Sequence, residues 1–191
     1  MQAKTIGFAI CGSFCTHAQA VAALERLTQQ YEQVIPILSE ITAATDTRFG
    51  TARDLLDRVE GLCARPAIRT IREAEPIGPK GLLDMLVIAP CTGNTLSKMA
   101  AGITDSCVTM AAKAHLRNGR PIVVCVASND GLSGSAPALG QLLMRKNLYF
   151  VPFGQDDPIH KPTSLIADFA QLDRTVEEAF FGRQLQPLLL R

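Results

Sequence analysis

The chain has 191 residues, of which 47% are hydrophobic and 19% charged, and a formal net charge of +1. That length supplies a full core for one domain, and the near-neutral balance excludes charge-driven binding to nucleic acid or a membrane surface. No apolar run is long enough to span a bilayer, and the start, MQAKTIGFAICGSF, reads as a first strand and not as a signal peptide.

Residues 4–11 form an apolar run that ends in Gly12-Ser13, the pattern of a central parallel strand feeding a tight turn. Residues 16–30 carry Ala18, Val21, Leu24 and Leu27 at helical spacing. Residues 33–38 read as strand two, with Pro36 marking an edge or bulge. Residues 40–81 are the least decided. A helical pattern runs over 48–63 through Ala52, Leu55, Leu56 and Val59, and 67–81 reads as a short strand and a Pro/Gly-rich loop. Strand three covers 85–89 and is expected to stop at Pro90, which cannot donate to a ladder. A turn at 91–95 leads into a helix through Leu96, Met99, Ala100 and Ile103, broken near Gly102. The next helix, 107–117, closes on Asn118-Gly119. Strand four is 121–127, followed by a loop at 128–136 that is flexible by composition, a helix at 137–146, strand five at 148–153 and a loop at 154–162. The last helix is expected to start near Pro162 and to present Leu165, Phe169, Leu172, Val176 and Phe180 to the core before Gly182. The tail after it is apolar enough to dock on this domain or on a neighbouring protomer.

Alternating strands and helices predict an α/β fold, a doubly wound, Rossmann-like parallel sheet in three layers, with residues 1–191 as a single domain. Ligands of such sheets bind beyond the strand C-termini, at the switch in strand order. The loops at 12–16, 39–42, 90–95 and 128–136 each follow a strand and are expected to converge there.

The dinucleotide fingerprint GxGxxG, the phosphate loop GxxxxGK[ST] and the nucleophile elbow GxSxG are all missing, which argues against an NAD-binding domain or an NTPase. In their place, Pro90-Cys91-Thr92-Gly93-Asn94-Thr95 brings hydroxyls and backbone N–H groups to a helix N-terminus, which suits a phosphate or carboxylate. Gly12-Ser13-Phe14-Cys15-Thr16 and Ser39 offer the same groups, and for each the plain alternative is a helix cap. Asp105 reads as a cap of the following helix. His17, near the binding edge, reads first as a surface histidine and second as a catalyst; His115 reads as structural and His160 as solvated. The six cysteines form no CxxC and read as reduced thiols, with packing the better reading for Cys15 and Cys91, and the histidines show no zinc spacing, so no metal site is expected. Asp156-Asp157 reads as a solvated turn.

Taken together these loops resemble the flavoprotein family of cysteine decarboxylases and their relatives. Gly12-Ser13 resembles that family's turn after strand one, Ser39 its threonine after strand two, Pro90 to Thr95 its Pro-Ala-Ser-Ala-Asn-Thr motif, and Ala100 to Ser106 its Ala-x-Gly-Ile-x-Asp-Asn segment. The resemblance implies FMN, held by Gly12, Ser13, Phe14, Ser39, Pro90, Thr92, Gly93, Asn94, Thr95, Asp105 and Ser106, and trimer-based homo-oligomers. The decarboxylases' histidine after strand two is missing, as is their Pro-x-Met-Asn-x-x-Met-Trp element, replaced by Ser128-Asn129-Asp130-Gly131. Decarboxylase chemistry is therefore not implied.

Residues 45–50, 74–80, 111–119 and 149–158 resemble, in order, the family of dipicolinate synthase B subunits. That resemblance implies a nicotinamide (NAD(P))-dependent A subunit as partner, a small dicarboxylate substrate oxidised to dipicolinate, and the mother-cell cytoplasm of a sporulating bacterium. Aromatising such a substrate needs a hydride acceptor, a proton acceptor and cations for two carboxylates. Arg48 is the first candidate clamp, Lys98 and Lys113 are weaker ones, and His17 is the best available base. Two alternatives stand beside this reading: an FMN-dependent decarboxylase or other enzyme modifying a small molecule, against which the missing histidine counts, and a non-catalytic partner whose flavin site has degenerated at Cys91, Gly93 and Ser106.

Overall fold

In a computed structural model, described for residues 2–190, seven strands form one mixed sheet with helices on both faces. The order is β1 (Gln2–Ile10), α1 (His17–Gln30), β2 (Tyr31–Leu38), α2 (Glu40–Ala44), α3 (Ala52–Cys63), α4 (Ile71–Ala74), β3 (Met85–Cys91), α5 (Gly93–Ala101), α6 (Cys107–Leu116), β4 (Ile122–Ser128), α7 (Ala136–Leu143), β5 (Leu148–Phe150), β6 (Phe153–Gly154), β7 (Leu165–Ala167) and α8 (Leu172–Phe180).

β2, β1, β3 and β4 pair in parallel in that order. The outer edge of β4 is then shared. Ile122–Val124 take β5 in parallel, while Ala127 and Ser128 take β7 antiparallel, and β6 pairs with β7. All seven residues of β3 are buried, as a strand covered on both faces requires. α1 packs with α3 and α8 on one side; α5, α6 and α7 cover the other. The chain leaves β1 for β2 and returns across it to β3, so the switch in strand order lies between β1 and β3. At their C-terminal ends, Cys11 N–H donates to the Pro90 carbonyl at 3.3 Å.

Several expectations change. The sheet is mixed, because β6 and β7 run antiparallel. β3 does not stop at Pro90 but runs through it to Cys91. The ladder to β4 shifts register between Ile88 and Cys91, so Pro90 sits where no donor is required. The last helix begins at Leu172 after a single 3-10 turn, and Leu165–Ala167 is a strand with the outer two residues buried, a period of two that the four-residue spacing of Leu165 and Phe169 concealed. Strand five divides into β5 and β6. Of 67–81, only Ile68 bridges to β2, beside Pro36 at the sheet edge, and Ile71–Ala74 is helical behind a Thr70–Glu73 capping box. On α1 the buried face is Ala20, Val21, Ala23, Leu24 and Leu27, and Ala18 is exposed. The tail docks on its own chain: Phe153 N–H donates to Leu188, and Leu190 N–H to Phe153.

Two contacts on α6 have measurable consequences. Gly78 lies so close to this helix that a Cβ there would stand 2.9 Å from the Ala114 carbonyl oxygen. Gly78→Ala is therefore expected to lower stability by about 1–3 kcal/mol, read as a lower urea midpoint at unchanged slope. His115 is fully buried. Its Nε2–H donates to the Pro121 carbonyl at 3.0 Å, and burial holds its pKa down, from 6.5 to about 4. The unfolded chain takes up this proton first, so stability is complete above pH 6.5 and falls as the pH drops toward 4. A His115→Gln variant is expected to show a flatter pH dependence of melting across that window.

Candidate functional site

Beyond the ends of β1, β2 and β3, three helix starts line one cleft of about 560 Å³. Each start is capped by its own hydroxyl. Ser39 Oγ accepts from Thr42 N–H at 3.3 Å and donates to Thr42 Oγ1 at 2.8 Å. Thr92 Oγ1 accepts from Thr95 N–H at 3.3 Å, and Thr95 Oγ1 donates to Cys11 Sγ at 3.3 Å. Ser106 Oγ accepts from Thr109 N–H at 3.2 Å, so Ser106 caps α6 and Asp105 does not. Asp105 instead pairs with Lys98 at 2.9 Å.

The helix starts differ in what remains open. The Glu40 carboxylate accepts from Cys107 N–H at 2.7 Å and so occupies the start of α6. At α5, no acceptor among the described residues takes the N–H groups of Gly93 or Asn94. The cleft therefore presents hydroxyls, the open N–H of Asn94 at a positive helix end, and the apolar sides of Phe14 and Ile41. Those features fit a phosphate-bearing ligand with a flat ring. Lys98, neutralised by Asp105, adds little charge.

A second cleft of about 460 Å³ shares Gly12, Phe14 and Thr92 with the first and adds Ser13, Cys15, Arg48, Gly93, Ser128, Asn129 and Asp130. The Arg48 guanidinium lies 4.9 Å from the Phe49 ring centroid. Asp130 accepts from the Ser135 hydroxyl at 2.8 Å and from the Ser128 hydroxyl, and these bonds hold its carboxyl below the usual carboxylate range. A Cβ on Gly93 would stand 2.6 Å from both Asp130 Oδ1 and Ser128 Oγ and would overlap Ser135 Oγ. The loop at 128–136, flexible by composition, is thus tied down against the start of α5. Asp130 and Glu40 escaped the sequence reading. Glu40 carried a signal, a carboxylate beside the candidate Ser39; Asp130 carried a weaker one, since its serine partners are two and five residues away but the Gly93 it packs against lies in another element.

Of the other candidates, His17 is half-buried, donates through Nε2 to the Cys11 carbonyl at 2.8 Å, and has its pKa lowered by burial. It lines a neighbouring recess with Thr42, Thr45 and Thr47 and not the two clefts. Lys113 lies elsewhere, in a hollow between α5, α6 and α7. His160 is exposed and pairs with Asp157 at 3.1 Å. Cys91 is buried as expected, but Cys15 is exposed at the rim of the second cleft, where the turn into α1 leaves it uncovered.

Residues 2–149 match the model of the Flavoprotein family, and the chain belongs to that family. Over its whole length it is 43% identical to the B subunit of dipicolinate synthase from Bacillus subtilis (strain 168), covering 95% of that protein. The crystal structure of the B subunit of dipicolinate synthase from Bacillus halodurans C superposes with a TM-score of 0.90 at 42% identity, covering 98% of this chain and 96% of that one. The FMN-dependent cysteine decarboxylase SpaF shares the fold, with a TM-score of 0.66 at 19% identity over 93% of this chain and 97% of its own.

All six cysteines are free; burial drives Cys11 up to about 11 and holds Cys91 and Cys125 well above the usual thiol range. Titration of the native protein with a thiol reagent at neutral pH is expected to modify Cys15 first and alone among the site cysteines. Equally fast loss of Cys11 would contradict its packing under Thr95.

Proposed function

We propose that this chain works as the B component of a dipicolinate synthase, binding FMN and acting with a nicotinamide-dependent A component to oxidise a dihydropyridine dicarboxylate in the cytoplasm of a sporulating mother cell. The observation that carries the reading is full-length homology at 43% identity to such a B component, joined to a hydroxyl-lined cleft at the β1/β3 switch. Gly12, Ser13, Phe14, Ser39, Pro90, Thr92, Gly93, Asn94, Thr95, Asp105 and Ser106 are the residues proposed to hold the flavin, with the open N–H groups of α5 toward its acceptor atoms. When bound, the flavin supplies a two-electron acceptor. Arg48 holds a substrate carboxylate, and His17 stays the weaker proposal for a base, since its Nε2–H is spent on Cys11. The assembly is proposed to be trimer-based.

One observation favours a second reading. Glu40 on the start of α6 and Asp105 on Lys98 leave the first cleft with a net negative lining. In that reading the chain binds substrate or stabilises its A partner without using flavin. A decarboxylase reading has less support, because Ser39-Glu40 and no histidine follow β2.

The two are separated by an FMN titration and by turnover with the A component alone, this chain alone and both. FMN is expected to saturate at one per chain, and full turnover to need both proteins; full-rate turnover by the A component alone would remove the catalytic role. Asn94→Asp keeps a residue that suits a helix start but sets a negative charge at the open N–H groups, and is expected to weaken FMN binding by roughly tenfold or more.

A further inference from the structure

Arg48 and Asp130 line the same cleft, yet no ion pair joins them, and Arg48 has no carboxylate partner among the described residues. Two opposite charges that share a cleft without meeting leave room for a ligand carrying the reverse pattern. Asp130 is moreover held in place: Ser135, almost wholly buried, and Ser128 both bond to it, and the missing side chain at Gly93 lets this group reach the start of α5.

We propose that the cleft between Arg48 and Asp130 seats a small ring bearing a carboxylate and a ring N–H, with Arg48 taking the carboxylate and Asp130 the N–H. The identity of the ring as a dihydropyridine dicarboxylate rests on the function proposed above. In that reaction a ring C–H bond breaks and its electron pair leaves as hydride to an oxidised nicotinamide or flavin. The ring gains a double bond and becomes a pyridinium, which then gives its N–H proton to solvent. Positive charge thus develops at the nitrogen, and a fixed carboxylate beside it stabilises the transition state more than the ground state. The serine hydroxyls keep Asp130 ionised, which suits a counter-ion and not a proton shuttle.

The test is calorimetric binding of two probes to the full-length protein. Piperidine-2,6-dicarboxylate carries a cationic N–H; pyridine-2,6-dicarboxylate carries none at neutral pH. The wild type is expected to prefer the piperidine by roughly tenfold, the size of a charged hydrogen bond. Asp130→Asn should abolish the preference and leave pyridine dicarboxylate binding nearly unchanged, whereas Arg48→Gln should weaken both. Gly93→Ala, which pushes Asp130 away, should also lose the preference, and melting curves check that each variant is folded. A preference that survives in Asp130→Asn, or failure of both probes to bind the wild type, overturns the proposal. Turnover with the A component reads the proposed function separately: intact turnover with an unchanged preference removes only Asp130's role, whereas no turnover and no binding remove both.

Discussion

The structure depends on the parallel pairing of β1 with β3. Ile6 to Ala9 lie against Met85 to Ile88, with the core on both faces of β3. Inside such a sheet every backbone polar group must be satisfied by the ladder. Where the ladder ends, at the Cys11–Pro90 hydrogen bond, the chain must turn outward and the next helices must be capped. Ser39, Thr92 and Ser106 perform that capping. Their hydroxyls are therefore spent first on folding. What the site offers a ligand is what capping leaves open, chiefly the first N–H groups of α5.

This origin explains the electrostatics of the first cleft. It lies at positive helix ends, yet its one lysine is neutralised and a glutamate sits on α6. An anion there would be recognised through backbone dipoles and hydroxyls rather than by a formal cation, which favours shape and direction over charge. Glu40 performs a second task, since its bond to Cys107 N–H ties the loop after β2 to a helix 67 residues further along the chain. Two strand-end loops are held in register by a bond that a bound anion would otherwise compete for.

The core was legible because strands covered on both faces read as unbroken apolar runs, as 85–89 and 121–127 do. The candidate loops were legible because Gly, Ser and Thr after such runs are turn and cap chemistry. The misreadings have several causes, and one is that short segments satisfy two periods at once. Leu165 and Phe169 fit a helix, but Leu165 and Ala167 are the buried pair of a short strand. Pro90 punctuates a sequence, but a register shift makes a proline harmless there. The exposed Cys15 and the half-buried His17 depend on how tightly the turn into α1 closes, which no local pattern states.

Gly93 shows how the remaining information is stored. Read alone, it is a small residue in a turn. In the fold its missing Cβ admits Asp130, Ser128 and Ser135 from the C-terminal end of β4 and the loop after it, and those three replace flexibility with a fixed carboxylate in the second cleft. The glycine and the serine-rich loop are consequently one feature. A side chain at position 93 requires a different loop, and a different loop removes the need for glycine. Gly93 and Ser128-Asn129-Asp130-Gly131, two of the places where the sequence departs from the decarboxylase pattern, thus meet in the fold, in the cleft that Arg48 also lines.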